Sequence, residues 1–176
     1  MSSRIIEALK ATNVKHGVRN LSEWNKKVLN QGAKVDGGNI DNFSIVELGF
    51  NTQGERVCKA LTATTKKGVL IASVEEYIQE YEGISDFFNA EGELARIVYL
   101  EDANRIQVSA FVKDDGTKAI VNGQNVHFDA TTKKYIVSNG TTDNAGFATA
   151  GNKFIVVDAE GDTLGGQTVI TIETVR

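Results

Sequence analysis

The sequence predicts a mainly β fold with α+β trimmings: a compact β-barrel or β-sandwich-like body, one short inserted helix and an extended N-terminal arm. Three observations predict it. From Phe43 onward, short runs rich in β-branched and aromatic residues recur, and nearly all end at Gly, Asn or Asp. Proline is absent from the 176 residues, whereas the 17 glycines include turn-forming pairs such as Asp36-Gly37, Asp115-Gly116, Asn122-Gly123 and Asn139-Gly140. Such pairs tolerate positive φ and favour tight hairpins. Charge is also segregated. Residues 1–35 hold seven of the 19 cations but two of the 23 acids, a net +5, which leaves 12 cations against 21 acids, a net −9, for the rest.

The basic stretch carries two short amphipathic patterns. Ile5, Ile6 and Leu9 share one helical face, and Leu21, Trp24 and Val28 recur at three- and four-residue intervals behind Ser22 as a cap. Neither is long enough to be stable alone. Asp36-Gly37-Gly38-Asn39 reads as a hinge. The expected division therefore falls near residue 42, with an arm at 1–42 and a β-rich body at 43–176.

Within the body, strands are expected at Ser44–Phe50, Glu55–Leu61, Gly68–Ala72, Leu94–Leu100, Arg105–Val112, Asn125–Asp129, Lys134–Ser138, Phe154–Asp158 and Thr168–Val175. In the last, Ile170 and Ile172 point one way while Thr171 and Glu173 point the other, the pattern of a half-buried strand. The one helix starts at Ser73, where Ser73 and Glu76 match the S-x-x-E capping box, continues through Tyr77, Ile78 and Tyr81, and stops at Gly83. Phe87-Phe88 then sits in a turn-rich connection. About nine short strands must bury their alternating faces against one another, which favours a barrel or sandwich. Strand order stays open.

Few residues suggest chemistry. His127 and Asp129 share a strand face, and a hydrolase would use them as base and orienter, but no G-x-S-x-G turn supplies a nucleophile. Cys58, the only cysteine, excludes an internal disulfide; its basic neighbours Arg56 and Lys59 argue for a lowered thiol pKa, and burial as a structural cysteine is the competing expectation. The acidic turn from Asp158 to Asp162 misses the calcium-loop template, because Gly161 comes fourth and Val169 takes the place of the final Glu. No phosphate loop is present, so no cofactor and no metal are expected. Dispersed cations with a single aromatic, Trp24, argue for a protein partner over nucleic acid. No apolar run reaches the ~18 residues of a membrane helix, and the start lacks the pattern of a secretory signal, so cytoplasmic synthesis and unused sequons at Asn20, Asn42 and Asn139 are expected.

The order of segments carries a resemblance. After the arm come Val69-Leu70-Ile71-Ala72-Ser73-Val74-Glu75, then Phe87 to Leu100, Arg105-Ile106-Gln107-Val108-Ser109-Ala110-Phe111, Asn152 to Val157 and Gly165 to Ile170. Over residues 43–176 this pattern resembles the head decoration, or auxiliary capsid, proteins of tailed bacteriophages. The resemblance implies a non-enzymatic structural protein of the virion, made in the host cytoplasm, that binds the capsid exterior and cements the major capsid protein lattice, with trimers common in the group. Capsid contact is then expected from the arm: Leu21, Trp24 and Val28 ordering against the capsid, with Arg19, Lys26 and Lys27 meeting acidic groups. Fully extended, 42 residues reach at most about 140 Å. Two other classes compete: a virion-borne carbohydrate-binding or adhesion module with Tyr99 and Tyr135 in a saccharide groove, and a small hydrolase using His127.

Overall fold

A computed structural model describes residues 27–74, 87–159, 163–164 and 167–175, and among these the regular structure is entirely β. The predicted helix lies outside the described residues from 75 onward. Of its capping box only Ser73 is described, and its hydroxyl accepts the Arg96 backbone N–H at 3.0 Å. No helix among the described residues is long and apolar enough to cross a membrane.

Two six-stranded sheets make up the body. The first runs in the order β7 (Leu94–Ala95), β1 (Ala33–Val35), β4 (Arg56–Ala60), β3 (Ile45–Phe50), β5 (Val69–Ile71) and β8 (Ile97–Val98). Its two ends are separated in sequence by Arg96 alone, so one segment closes the sheet into a small barrel. Val28 extends the closure through an antiparallel bridge to Val98. The second sheet runs β10 (Phe111–Lys113), β12 (Lys134–Val137), β11 (Asn125–Asp129), β13 (Lys153–Asp158), β16 (Ile170–Val175) and β9 (Arg105–Val108). Here too the ends are one segment, bent at Ser109-Ala110, where the Phe111 N–H turns back to the Ser109 carbonyl at 3.1 Å. Two short ladders complete the fold, β2 (Ile40–Asp41) with β6 (Phe88–Asn89), and β14 (Thr163–Leu164) with β15 (Gln167–Thr168).

All nine expected strands form, three of them split: Leu94–Leu100 at Arg96, Arg105–Val112 at Ser109-Ala110 and Thr168–Val175 at Val169. The splits at Arg96 and at Ser109-Ala110 put both end strands of each six-stranded sheet on one continuous segment, which curls the sheet back on itself. The division at residue 42 requires correction. Ala33–Val35 pairs in parallel with Arg56–Ala60 and antiparallel with Leu94–Ala95, so pairing within the body starts at Val28 and the Asp36-Gly37-Gly38 turn is internal to it. A three-residue strand shows too little alternation to be read from sequence.

The apolar run Val69-Leu70-Ile71 has a structural cause. Leu70, Ile45 and Val98 enter a core between the sheets with Phe128, Tyr135, Phe154 and Ile172, while their neighbours Ile71, Val46 and Ile97 enter a second core inside the first barrel with Val35 and Cys58. Strands buried on both faces lose polar alternation. The sheets are also stitched by hydrogen bonds. Asn152 accepts the Gly68 N–H at 2.7 Å and donates to the Gly68 carbonyl at 3.1 Å, and the Tyr135 hydroxyl donates to the Phe43 carbonyl at 3.0 Å.

Candidate functional site

Of the six residues expected to touch a capsid, Arg19, Leu21, Trp24 and Lys26 lie outside the described residues. Lys27 and Val28 mark the point at which the basic stretch joins the body. The Lys27 carbonyl accepts the Tyr99 N–H at 2.9 Å, its ammonium pairs with Glu101 at 2.9 Å, and the Leu29 N–H donates to the Ile97 carbonyl at 2.9 Å. Val28 packs partly buried on the core between the sheets. Its side chain is committed to the body, and the helical spacing from Leu21 does not continue through it, because the β-bridge to Val98 demands extended backbone.

Beside this root opens a cleft of about 530 Å³, lined among others by Lys67, Lys153, Glu101, Asp102 and Thr174. Opposite charges share its walls. The adjoining turn is tied down: the Thr174 hydroxyl donates to the Glu101 carbonyl, and the Glu101 N–H donates to the Asn104 side chain at 2.7 Å.

A second surface was not legible in the sequence. Phe50, at the mouth of the first barrel, is 68% exposed, and the Arg56 guanidinium covers its ring at 4.8 Å. Leu94 is 75% exposed. The cross-strand row Leu94, Lys34, Val57, Gly49 puts Leu94 on the outer face of the sheet, whereas Phe50, one residue beyond Gly49, points to the opposite face at the mouth of the barrel, so the two exposed side chains lie on different surfaces. The β3–β4 hairpin is rigid, since Asn51 accepts the N–H groups of Gln53 and Glu55 at 3.1 and 2.9 Å.

The hydrolase constellation does not assemble. The Asp129 carboxylate accepts from Thr64 at 3.0 Å and from the Thr132 N–H and hydroxyl at 2.8 and 2.7 Å, and it makes no hydrogen bond to His127. His127 is 1% exposed and its Nδ1 has no partner among the described residues. Burial lowers its pKa against the pull of Asp129 and Asp114. Phe147 stands edge-on to the imidazole, and a side chain at Gly146 would collide with its Nε2. Cys58 is buried, its thiol pushed up to about 11 chiefly by desolvation, the opposite of activation. Among the described residues no three His, Cys, Asp or Glu converge as metal ligands.

The saccharide groove drawn on two tyrosines also fails, because Tyr135 is fully buried in the core against Phe128 and Phe154 and lines no groove. Tyr99 alone is exposed.

The family model described as YonC prophage protein matches residues 12–174 of the chain. The SPbeta prophage-derived uncharacterized protein YonC of Bacillus subtilis (strain 168) is 41% identical over 180 residues, covering 100% of this chain and 99% of that protein. No solved structure matches at a significant level.

Proposed function

Since the chain belongs to the YonC prophage protein family, we propose that it is a non-catalytic structural protein of a phage particle, which binds the capsid exterior and cements neighbouring subunits of the major capsid protein. The observation that carries this reading is the root of the basic segment. A stretch with net positive charge is joined to an acidic body by the Lys27–Glu101 ion pair and the Val28–Val98 bridge, so force on the segment passes directly into a closed barrel. Arg19, Leu21, Trp24 and Lys26 supply the contacts with the lattice, and Val28 anchors them. The 26 residues before Lys27 span at most about 90 Å when extended, enough to reach across a subunit boundary. Repetition on a lattice then converts modest single contacts into lasting attachment. Phe50, exposed at the mouth of the barrel, provides a second, apolar contact suited to a neighbouring subunit or to trimer formation on the capsid.

The test mixes purified protein with expanded heads that lack it, sediments the heads and counts bound copies. Saturation at a lattice-matched ratio is expected for the full chain, with loss of at least tenfold in affinity on deleting residues 1–26. The deletion must stop there, because removing residues through 35 would take away β1. Failure of the full chain to cosediment would end the capsid reading. Undiminished binding by the truncated chain would end the role of the segment.

A further inference from the structure

We propose that loop 139–150 is an acid-released flap, closed over His127 while the imidazole is neutral and lifted from the sheet when His127 takes up a proton, independently of any attachment to a capsid. Val126 and Phe128 enter the core between the sheets, so the side chain of His127 leaves from the opposite face of β11. Loop 139–150 covers it there. Phe147 stands edge-on to the imidazole with ring centroids 6.4 Å apart, and Gly146 lies so close that a Cβ on it would come within 2.7 Å of Nε2. Under this cover His127 is 1% exposed, although it sits on the outer face of its sheet.

The closed arrangement suits only the neutral ring. A protonated imidazole donates from both nitrogens. Nδ1 has no hydrogen-bond partner among the described residues, so the charged ring would bury an N–H without an acceptor. The charges around it are mixed. Asp129 shares its strand face but is turned to Thr64 and Thr132, and Asp114, just after β10, accepts the Asn144 amide at 2.5 Å. Lys134 shares the outer face of β12, and Asp143 of the loop accepts the Asn125 amide at 2.8 Å. Lys153 lies directly opposite His127 on β13, with its ammonium 3.0 Å from the Ala148 carbonyl and 5.2 Å from the Phe147 ring. Burial outweighs the pull of Asp129 and Asp114 and keeps the imidazole below its ordinary pKa.

The loop, not the strand, is the part that yields. β11 is paired on both sides, to β12 and to β13. The loop is held at its rim by side chains: besides the Asn144–Asp114 and Asn125–Asp143 bonds, the Asn144 N–H donates to the Ser138 hydroxyl at 3.1 Å. Gly151, bonded to the Thr64 carbonyl at 2.9 Å, stays with the body as the far hinge. A segment held by so few bonds opens at far lower cost than a central strand.

The experiment is hydrogen exchange by mass spectrometry on the full chain at pH 7.5 and pH 5, with protection taken relative to intrinsic exchange, together with an NMR titration of the imidazoles. An opened imidazole titrating near 6.5 increases opening by up to about thirtyfold between these two values. Loop 139–150 should lose about fivefold or more of its protection while β13 and β16 keep theirs, and His127→Leu should abolish the loss. Gly146→Ala, which wedges a methyl against the ring, should open the loop at both pH values and move the His127 titration up toward its ordinary range. The other histidine, His16, is assigned in the same spectra through His16→Gln. Gly146→Ala changes only the loop, so it decides the question if the His127→Leu protein misfolds. The proposal is overturned if loop protection is the same at both pH values, if β13 and β16 lose protection in step with the loop, if the loss persists in His127→Leu, or if Gly146→Ala leaves the His127 titration in place.

Discussion

Glu47 shows how a single side chain fixes a loop. Its carboxylate accepts the Thr62 N–H at 2.6 Å and the Thr62 hydroxyl at 2.5 Å, and pairs with Lys66 at 2.8 Å, pinning the β4–β5 connection to β3. Desolvation raises its pKa, but the bonds from Lys66 and Thr62 outweigh this and hold it at about 2 instead of 4.5. A carboxylate depressed on folding stabilises the protein above its unfolded pKa, and that stability is lost as pH falls from about 4.5 toward 2. Glu47→Gln should therefore cost about 1 kcal/mol at pH 7 and flatten the acid limb of the stability curve in urea titrations. His127 acts in a nearby window. Burial keeps it neutral in the folded chain, so its contribution is intact above an unfolded pKa of about 6.5 and declines as pH is lowered through that value. The urea midpoint should fall between pH 7.5 and 5, and His127→Leu should remove part of that fall; equal slopes for the two proteins would refute the assignment. Cys58 donates to the Ala33 carbonyl at 3.9 Å inside the barrel, and a thiol reagent should modify it only after urea is added.

Connections between elements hold as much of this fold as the strands do. Gly151 donates its N–H to the Thr64 carbonyl at 2.9 Å, and any side chain there would run into the Lys66 backbone. Next to it, Asn152 satisfies both backbone groups of Gly68, itself packed against Ile45 and the Val46 carbonyl with no room for a Cβ. Asn152→Ala would leave a buried donor and a buried acceptor unpaired, at a cost of about 3 kcal/mol in equilibrium unfolding. The sequence shows these residues as ordinary loop glycines and amides, because their role depends on a partner 84 residues away. The same limit applies to the strands. Those with four or more alternating residues were legible, whereas β1, β2 and β6, two or three residues each, are held by pairing and not by pattern.

At the scale of the whole molecule, the central core joins both sheets: Phe43, Leu70 and Val98 of the first unit meet Phe128, Tyr135, Phe154 and Ile172 of the second. Neither sheet can lose its partner without exposing that shared core. Urea unfolding should therefore be a single transition, with near-UV and far-UV circular dichroism coincident, and two separated transitions would show the sheets to be independent units. The side-chain surface offered to partners includes the root at Lys27 and the exposed Phe50 at the mouth of the first barrel.

The sequence by itself determined the β class, the position of nearly every longer strand and the charge asymmetry between the N-terminal stretch and the body, because these follow from local alternation, turn residues and composition. Only the tertiary structure decided that Val28 belongs to the barrel, that Tyr135 is core, that Phe50 stands exposed at the barrel mouth and that Ser44 lines a cleft. Each of these depends on which distant strand lies alongside. That pairing is set by the burial of two cores at once, a property of the assembled sheets that no short window of residues contains.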